Sequence, residues 1–210
     1  MEQIQEGYYY HIYNRGADKS NLFRSKQDFK VFLQKYFHYT FISVDTFAWC
    51  LMNNHFHFLV KIRLTQEQNA VFTKNRLQYP AVSFHGDHYE NFKPHNASRQ
   101  LGHLMNSYTK FFNSKYSRSG TLIEGAFKRK RIINKSNFAH LVCYIHRNPI
   151  HHGITNSYVT YPYTSYKWIL RNFDRFINID ELMHEFGSLE NFKAAHEEFI
   201  LLLDDNYYLE

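Results

Sequence analysis

Only 4 prolines and 8 glycines punctuate the 210 residues, which excludes collagen-like, low-complexity and linker-dominated chains. Cysteine is scarce as well. Cys50 and Cys143 lie far apart with no CxxC spacing, so neither a disulfide scaffold nor a cysteine-rich structural zinc site can be assembled. No apolar run approaches the ~20 residues that cross a bilayer, and no charged segment followed by an apolar stretch opens the chain as a secretory signal would. Together these absences predict a cytoplasmic protein with reduced thiols and no membrane partner. What remains is 44% hydrophobic, enough for one well-buried domain with an appendage.

Charge is divided unevenly along that chain. Residues 174 to 210 hold ten acids against Arg175 and Lys193, a net of −8, which leaves 23 bases and 9 acids, a net of +14, in residues 1 to 173. A body so basic repels itself unless an anion neutralises it, and the ordinary partner is a phosphate backbone. A solvated basic surface is the plainer reading of the same charge.

Periodicity organises the basic part. "YYYHIYNR", Tyr8 to Arg15, reads as a strand stopping at Gly16. From Ser25, a plausible N-cap, Phe29, Phe32, Leu33, Tyr36 and Phe37 recur at helical spacing to about Tyr39. Strands are expected over Phe41 to Met52 and His55 to Ile62, joined by Asn53-Asn54, a dipeptide that tolerates the positive φ of a tight hairpin. Residues 64 to 97 lack clear periodicity and read mostly as loop, with room for one short helix. A helix is expected from about Ser98 to Ser119-Gly120, then a strand entering the basic run Lys128 to Arg131. Ser136 would cap a last helix that Pro149 ends or kinks. The order β-α-β-β-α-β-α fits an α+β ferredoxin-like unit, an antiparallel sheet with helices on one face. Residues 1 to 165 would form that domain, and residues 166 to 210 an acidic helical extension.

"NNHFHFLV" carries the first chemical signal. In a strand, residues i and i+2 share a face roughly 6 to 7 Å apart, so His55 and His57 can converge on one ion while Phe56 and Phe58 turn into the core. Taken alone, such a pair on a strand is commonly surface or structural, and it needs a third ligand and a task. "NFAHLVCYIHRNPIHHG" offers both. Residues four apart stack on one helix face, which makes a row of His140, Tyr144 and Asn148. Two imidazoles with an amide oxygen form a mixed site suited to Mg²⁺ or Mn²⁺ in phosphate chemistry. Tyr144 is equally readable as one of many half-buried tyrosines.

These stretches resemble known motifs. "NNHFHFLV" resembles the histidine-hydrophobic-histidine strand of the HUH endonuclease superfamily, and "CYIHRNPIHHG" the tyrosine helix of its single-tyrosine transposases. With "SYTKFFNSKYSRSGTLIEGAFKRKRI", the combination looks like the REP-associated tyrosine transposases of bacteria, over roughly residues 8 to 165. The resemblance implies the HUH fold, His55 and His57 as metal ligands, Tyr144 as nucleophile and Asn148 as third ligand, where many relatives carry the longer glutamine. It implies a divalent-metal-dependent endonuclease and strand transferase that cuts single-stranded or hairpin DNA through a 5′-phosphotyrosine link, acting as monomer or homodimer.

DNA holding is a separate task. Lys110, Lys115, Arg118, Lys128, Arg129, Lys130, Arg131 and Lys135 form a basic cluster opposed only by Glu124, suited to neutralising phosphates. Tyr116 could stack on a base, whereas Phe111 and Phe112 read as core. Two other readings stand beside the transferase: a non-catalytic nucleic-acid-binding module of the same fold, and a nuclease using water with Tyr144 structural. Tyr108 is the rival nucleophile.

Overall fold

The computed structural model describes residues 3–78, 92–173 and 175–199. Its elements run β1 (Tyr9–Arg15), α1 (Lys26–Thr40), β2 (Val44–Met52), β3 (His55–Ile62), α2 (Thr65–Gln78), α3 (Ala97–Lys115), β4 (Lys128–Ile132) and α4 (Lys135–His151). Three shorter helices follow: α5 (Tyr166–Leu170), α6 (Ile179–Phe186) and α7 (Leu189–Glu197). The four strands make one antiparallel sheet in the order β2-β3-β1-β4, so the α+β architecture expected from the periodicity is present.

Strand alternation sorts side chains onto two apolar layers. Tyr10, Ile12, Phe56, Phe58 and Val60 join Phe32 and Tyr36 of α1 and Leu101, Leu104 and Tyr108 of α3 in one core. On the other face Ala48, Cys50, Met52 and Leu59 meet Leu141, Val142 and Ile145 of α4, together with Leu182 of α6 and Phe192 of α7. Helices on one face were expected, and the sheet is covered on both. The reason lies in β3, where every residue but Lys61 is buried, so neither side of the strand is left for water. Neither cysteine forms a disulfide, and both are buried.

Several boundaries differ from the periodic reading, each for a local reason. The helix allowed for in the 64 to 97 stretch is α2, which opens it and has almost no apolar stripe; residues 79 to 91 lie outside the described residues. Asn96, not a residue nearer Ser98, caps α3 by accepting the Arg99 N–H at 2.9 Å, and α3 stops at Lys115. The strand expected to enter the basic run begins only within it, at Lys128; upstream, Ile123 makes a single bridge with Gly16. Asn53 and Asn54 form the two-residue turn between β2 and β3 without positive φ. Their carbonyls are taken from outside: Gly16 N–H donates to Asn54 O at 2.8 Å, and Leu22 and Phe23 N–H to Asn53 O at 2.7 and 2.9 Å. Gly16 is required there, since a Cβ would stand 2.0 Å from the Ser20 carbonyl oxygen.

The sheet's two edges are treated differently. Along β2, the Leu51 N–H donates to Tyr163 O at 2.9 Å and the Ser165 N–H to Trp49 O at 3.0 Å. The start of α6 is tied to the same strand by the Asn178 N–H on Thr46 O at 2.9 Å. The opposite edge is β4, four of whose five residues are Lys or Arg. Among the described residues no helix is long and apolar enough to cross a membrane.

Candidate active site

His55 and His57 face α4, as the alternation of β3 requires, with ring centroids 5.3 Å apart and planes at 85°. Each has its Nδ1 engaged. Nδ1 of His55 is 2.7 Å from Asn54 Oδ1, and Nδ1 of His57 is 2.9 Å from Nε2 of His11. The ring nitrogen each would offer a ligand is therefore Nε2. Both rings are buried between sheet and helix.

Tyr144 descends onto this pair from α4. Its ring meets His57 edge-on, centroids 5.9 Å apart at 88°, and His11 at 6.3 Å and 82°. One turn of helix further on is Asn148, and another turn on is His152, whose ring lies 4.6 Å from that of His55. The row 144, 148, 152 therefore runs along the histidine pair from end to end. Tyr144 is 5% exposed and Asn148 wholly buried.

Pro149 was expected to end or kink this helix, and α4 ends two residues beyond it, at His151, while its N-cap position is Asn134 in place of Ser136. A proline inside a helix removes one N–H donor, here the one that would serve Ile145. Beyond it the chain recloses, with the His152 N–H on Asn148 O at 3.1 Å and the Ile154 N–H on Pro149 O at 2.8 Å. That closure keeps Asn148 on the helix face of Tyr144.

Among the described residues no three His, Cys, Asp or Glu side chains form a group able to hold a metal ion. A divalent cation would depend on an amide as third ligand. Asn148 fits that need, because its Oδ1 and Nδ2 are both buried with no hydrogen bond, a condition that ordinarily costs about 1–3 kcal/mol per group. Two imidazole nitrogens and that oxygen are the donors such a cation would take.

The back of α4 is fastened by a buried chain of polar groups. Nδ1 of His196 is 2.7 Å from the Phe192 carbonyl, which can only accept, so this nitrogen carries the hydrogen. Nε2 of His196 then accepts from Nδ1 of His146 at 2.8 Å, and Nε2 of His146 accepts from the Ser165 hydroxyl at 2.7 Å. Burial holds both rings neutral, with His146 well below its ordinary pKa and His196 lowered to about 4. Through this chain α7 and the start of α5 set the orientation of the helix that carries Tyr144.

The basic cluster is not one surface. Lys128 and Lys130 pair with Tyr13 and His11 of β1 and so lie on the histidine face of the sheet. Arg129 and Arg131 lie on the other, where the Arg131 guanidinium is 3.3 Å above the Tyr8 ring. Lys115 is bound to Asp28, Arg118 donates to Asn113 Oδ1 and Thr121 O, and Lys110 is exposed on α3. The side chain of Lys135 lies outside the described residues. Glu124 pairs with Arg15 and also feels the charge of Lys128. Tyr116 is not an open stacking platform, since its hydroxyl donates to Asp28 at 2.7 Å and its ring packs on Phe112.

His11 was not singled out from the sequence. Its signal was there in the spacing Tyr9, His11, Tyr13, an alternation placing those side chains on one face of β1, but only the register with β3 brings that face beside His57.

No protein-family model matches the sequence, and neither does any curated protein. Among solved structures the chain is similar to a REP-associated tyrosine transposase bound to a REP hairpin, with a TM-score of 0.55 and 12% identity over 81% of this chain and 86% of that one. At that identity the likeness is one of fold, and the fold of this chain is the one found in that transposase.

Proposed function

We propose that this protein is a transposase-type single-strand DNA endonuclease and strand transferase, with Tyr144 as nucleophile and hairpin-forming repeats as substrate. The observation that carries the reading is the edge-on contact of the Tyr144 ring with His57, which sets a phenol beside a histidine pair on one buried face. The similar transposase was solved on a REP hairpin, which supports hairpin DNA as the partner here.

His55, His57 and Asn148 would hold Mg²⁺ or Mn²⁺. When bound, such an ion withdraws charge from a phosphodiester and orients it. The protein's own groups do the rest. Tyr144 Oη forms a bond to phosphorus, the bond from phosphorus to the 3′ oxygen breaks, and the phenolic proton is balanced by the one the 3′ oxygen gains. The product is a 5′-phosphotyrosine and a 3′-hydroxyl. A second 3′-hydroxyl can reverse the step on another strand, which conserves the bond energy without a nucleotide cofactor. Lys128 and Lys130, on the same face as the histidines, suit the strand that leads to Tyr144.

The test is incubation of single-stranded hairpin DNA, with and without Mn²⁺, with the protein and its Tyr144→Phe variant. A covalent protein-DNA adduct seen with the wild type and absent in the variant is expected. Cleavage that survives in Tyr144→Phe would assign the reaction to water instead, and binding without cleavage would assign the protein to the non-catalytic class.

A further inference from the structure

We propose that His11 is a positioning residue for the cation-binding pair, holding the His57 ring by its Nδ1 so that Nε2 is presented to a divalent cation. The inference rests on the reading of His55, His57 and Asn148 as ligands, and it adds a residue outside that set.

The geometry is specific. Antiparallel register pairs Tyr13 with His57 and His11 with Leu59, so His11 is the diagonal same-face neighbour of His57 across the sheet. The two rings lie 5.1 Å apart and nearly parallel, at 19°, joined by the 2.9 Å contact of Nε2 on Nδ1. Tyr13 stacks on His11 at 4.7 Å and 26° and lies 5.9 Å from the His57 ring at 12°, so the three rings pack as one group. Both histidines are buried, so water does not compete for the bond.

A neutral imidazole has one N–H and one lone pair. If Nε2 of His57 gives its lone pair to a cation, Nδ1 must carry the hydrogen, and the group facing it must accept. His11 Nε2 is that acceptor, as Asn54 Oδ1 is for His55. Ligand histidines are ordinarily oriented in this way by an outer partner. Here both partners are neutral, an imidazole and an amide, where a carboxylate is the common choice. Neutral partners leave the full charge of a bound cation for an anionic phosphodiester.

The experiment is Mn²⁺ titration followed by the loss of the free-ion electron paramagnetic resonance signal, on the wild type, His11→Phe, His11→Gln and His55→Ala. His11→Phe is expected to weaken Mn²⁺ binding roughly 10- to 100-fold. His11→Gln, whose amide oxygen can accept the same hydrogen, should stay within a few-fold of the wild type. Metal-free melting temperature and hairpin binding without metal should be close to wild type in each His11 variant that gives this pattern. Equal Mn²⁺ affinity in wild type and His11→Phe, with binding lost in His55→Ala, would overturn the role of His11 and leave the ligand set standing. No Mn²⁺ binding by the wild type would overturn both. A measurement needing no variant is the histidine ¹⁵N spectrum of the Mg²⁺-saturated protein: a proton on His57 Nδ1 is expected, and one on Nε2 would defeat the proposal.

Discussion

Lys115 Nζ lies 2.6 Å from Oδ1 of Asp28, a carboxylate with no exposed surface. The same side chain accepts from the Tyr116 hydroxyl at 2.7 Å and from the N–H groups of Arg24 and Ser25 at 2.8 and 2.9 Å. One acid thus joins the start of α1 to the end of α3. Burial pushes the Asp28 carboxyl up, but the hydrogen bonds from Lys115, Tyr116 and the two amides outweigh it and hold the group below its ordinary value.

Asp28→Asn should therefore lower stability at pH 7 by about 1–2 kcal/mol, since the amide replaces a carboxylate that accepts hydrogen bonds from Tyr116 and two backbone N–H groups. A depressed folded pKa gives stability that is present above the unfolded value, about 4, and is lost as pH falls through the folded one. Urea unfolding at pH 7 and pH 3 should show a smaller acid loss in Asp28→Asn than in the wild type.

Lys115 is committed to this contact, so the cations that meet DNA should be found elsewhere. Lys128→Ala and Lys130→Ala should each reduce the salt dependence of single-strand binding by about 0.7 in log-log slope, the value for one phosphate contact. Fluorescence anisotropy across a salt series reads this directly. Lys115→Ala should leave the slope unchanged.

Tyr108 faces the wrong side of the sheet to act as nucleophile. Its hydroxyl donates to the Leu22 carbonyl at 2.6 Å within the core shared by α1 and α3. Tyr108→Phe is expected to form the covalent DNA adduct at wild-type yield and to lose about 1 kcal/mol in chemical denaturation. An adduct that disappears in Tyr108→Phe but persists in Tyr144→Phe would exchange the roles.

The polar chain behind α4 predicts an acid-sensitive fold. His196 is neutral when folded, with its pKa lowered to about 4 chiefly by burial. The unfolded chain binds that proton near pH 6.5, so between those values the unfolded state holds more protons and stability falls as pH falls. His196→Gln should remove a dependence on the order of 3 kcal/mol over that window. The measurement is unfolding free energy from pH 7 to pH 4.

Much of this site could be read before any fold was known, because a strand's period of two assigns faces without ambiguity. His55 and His57 against Phe56 and Phe58 is such a case, and the row Tyr144, Asn148 is the helical equivalent. What could not be read is partner choice across strands. Nothing local in "YYHIYNR" says which strand lies beside it or in what register, so His11 stayed invisible until β1 was paired with β3. The covering of both sheet faces was missed for a related reason: histidines counted as polar hide how thoroughly β3 is buried. Pro149 marked the end of α4 to within two residues, and the turn that carries the chain past it, through His152 and Ile154, could not be read from the proline alone.

The unequal edges of the sheet have a consequence for the protein in crowded solution. An open strand edge is a template on which another sheet can grow, and proteins blunt such edges with charge or with a covering segment. This chain covers β2 with residues 163 to 165 and guards β4 with Lys128, Arg129, Lys130 and Arg131. Two of those cations, Lys128 and Lys130, are also the ones proposed to meet a phosphate backbone, so edge protection and DNA contact fall on the same side chains. Replacing them to study DNA binding would also expose an unguarded edge, so loss of solubility has to be measured alongside loss of affinity.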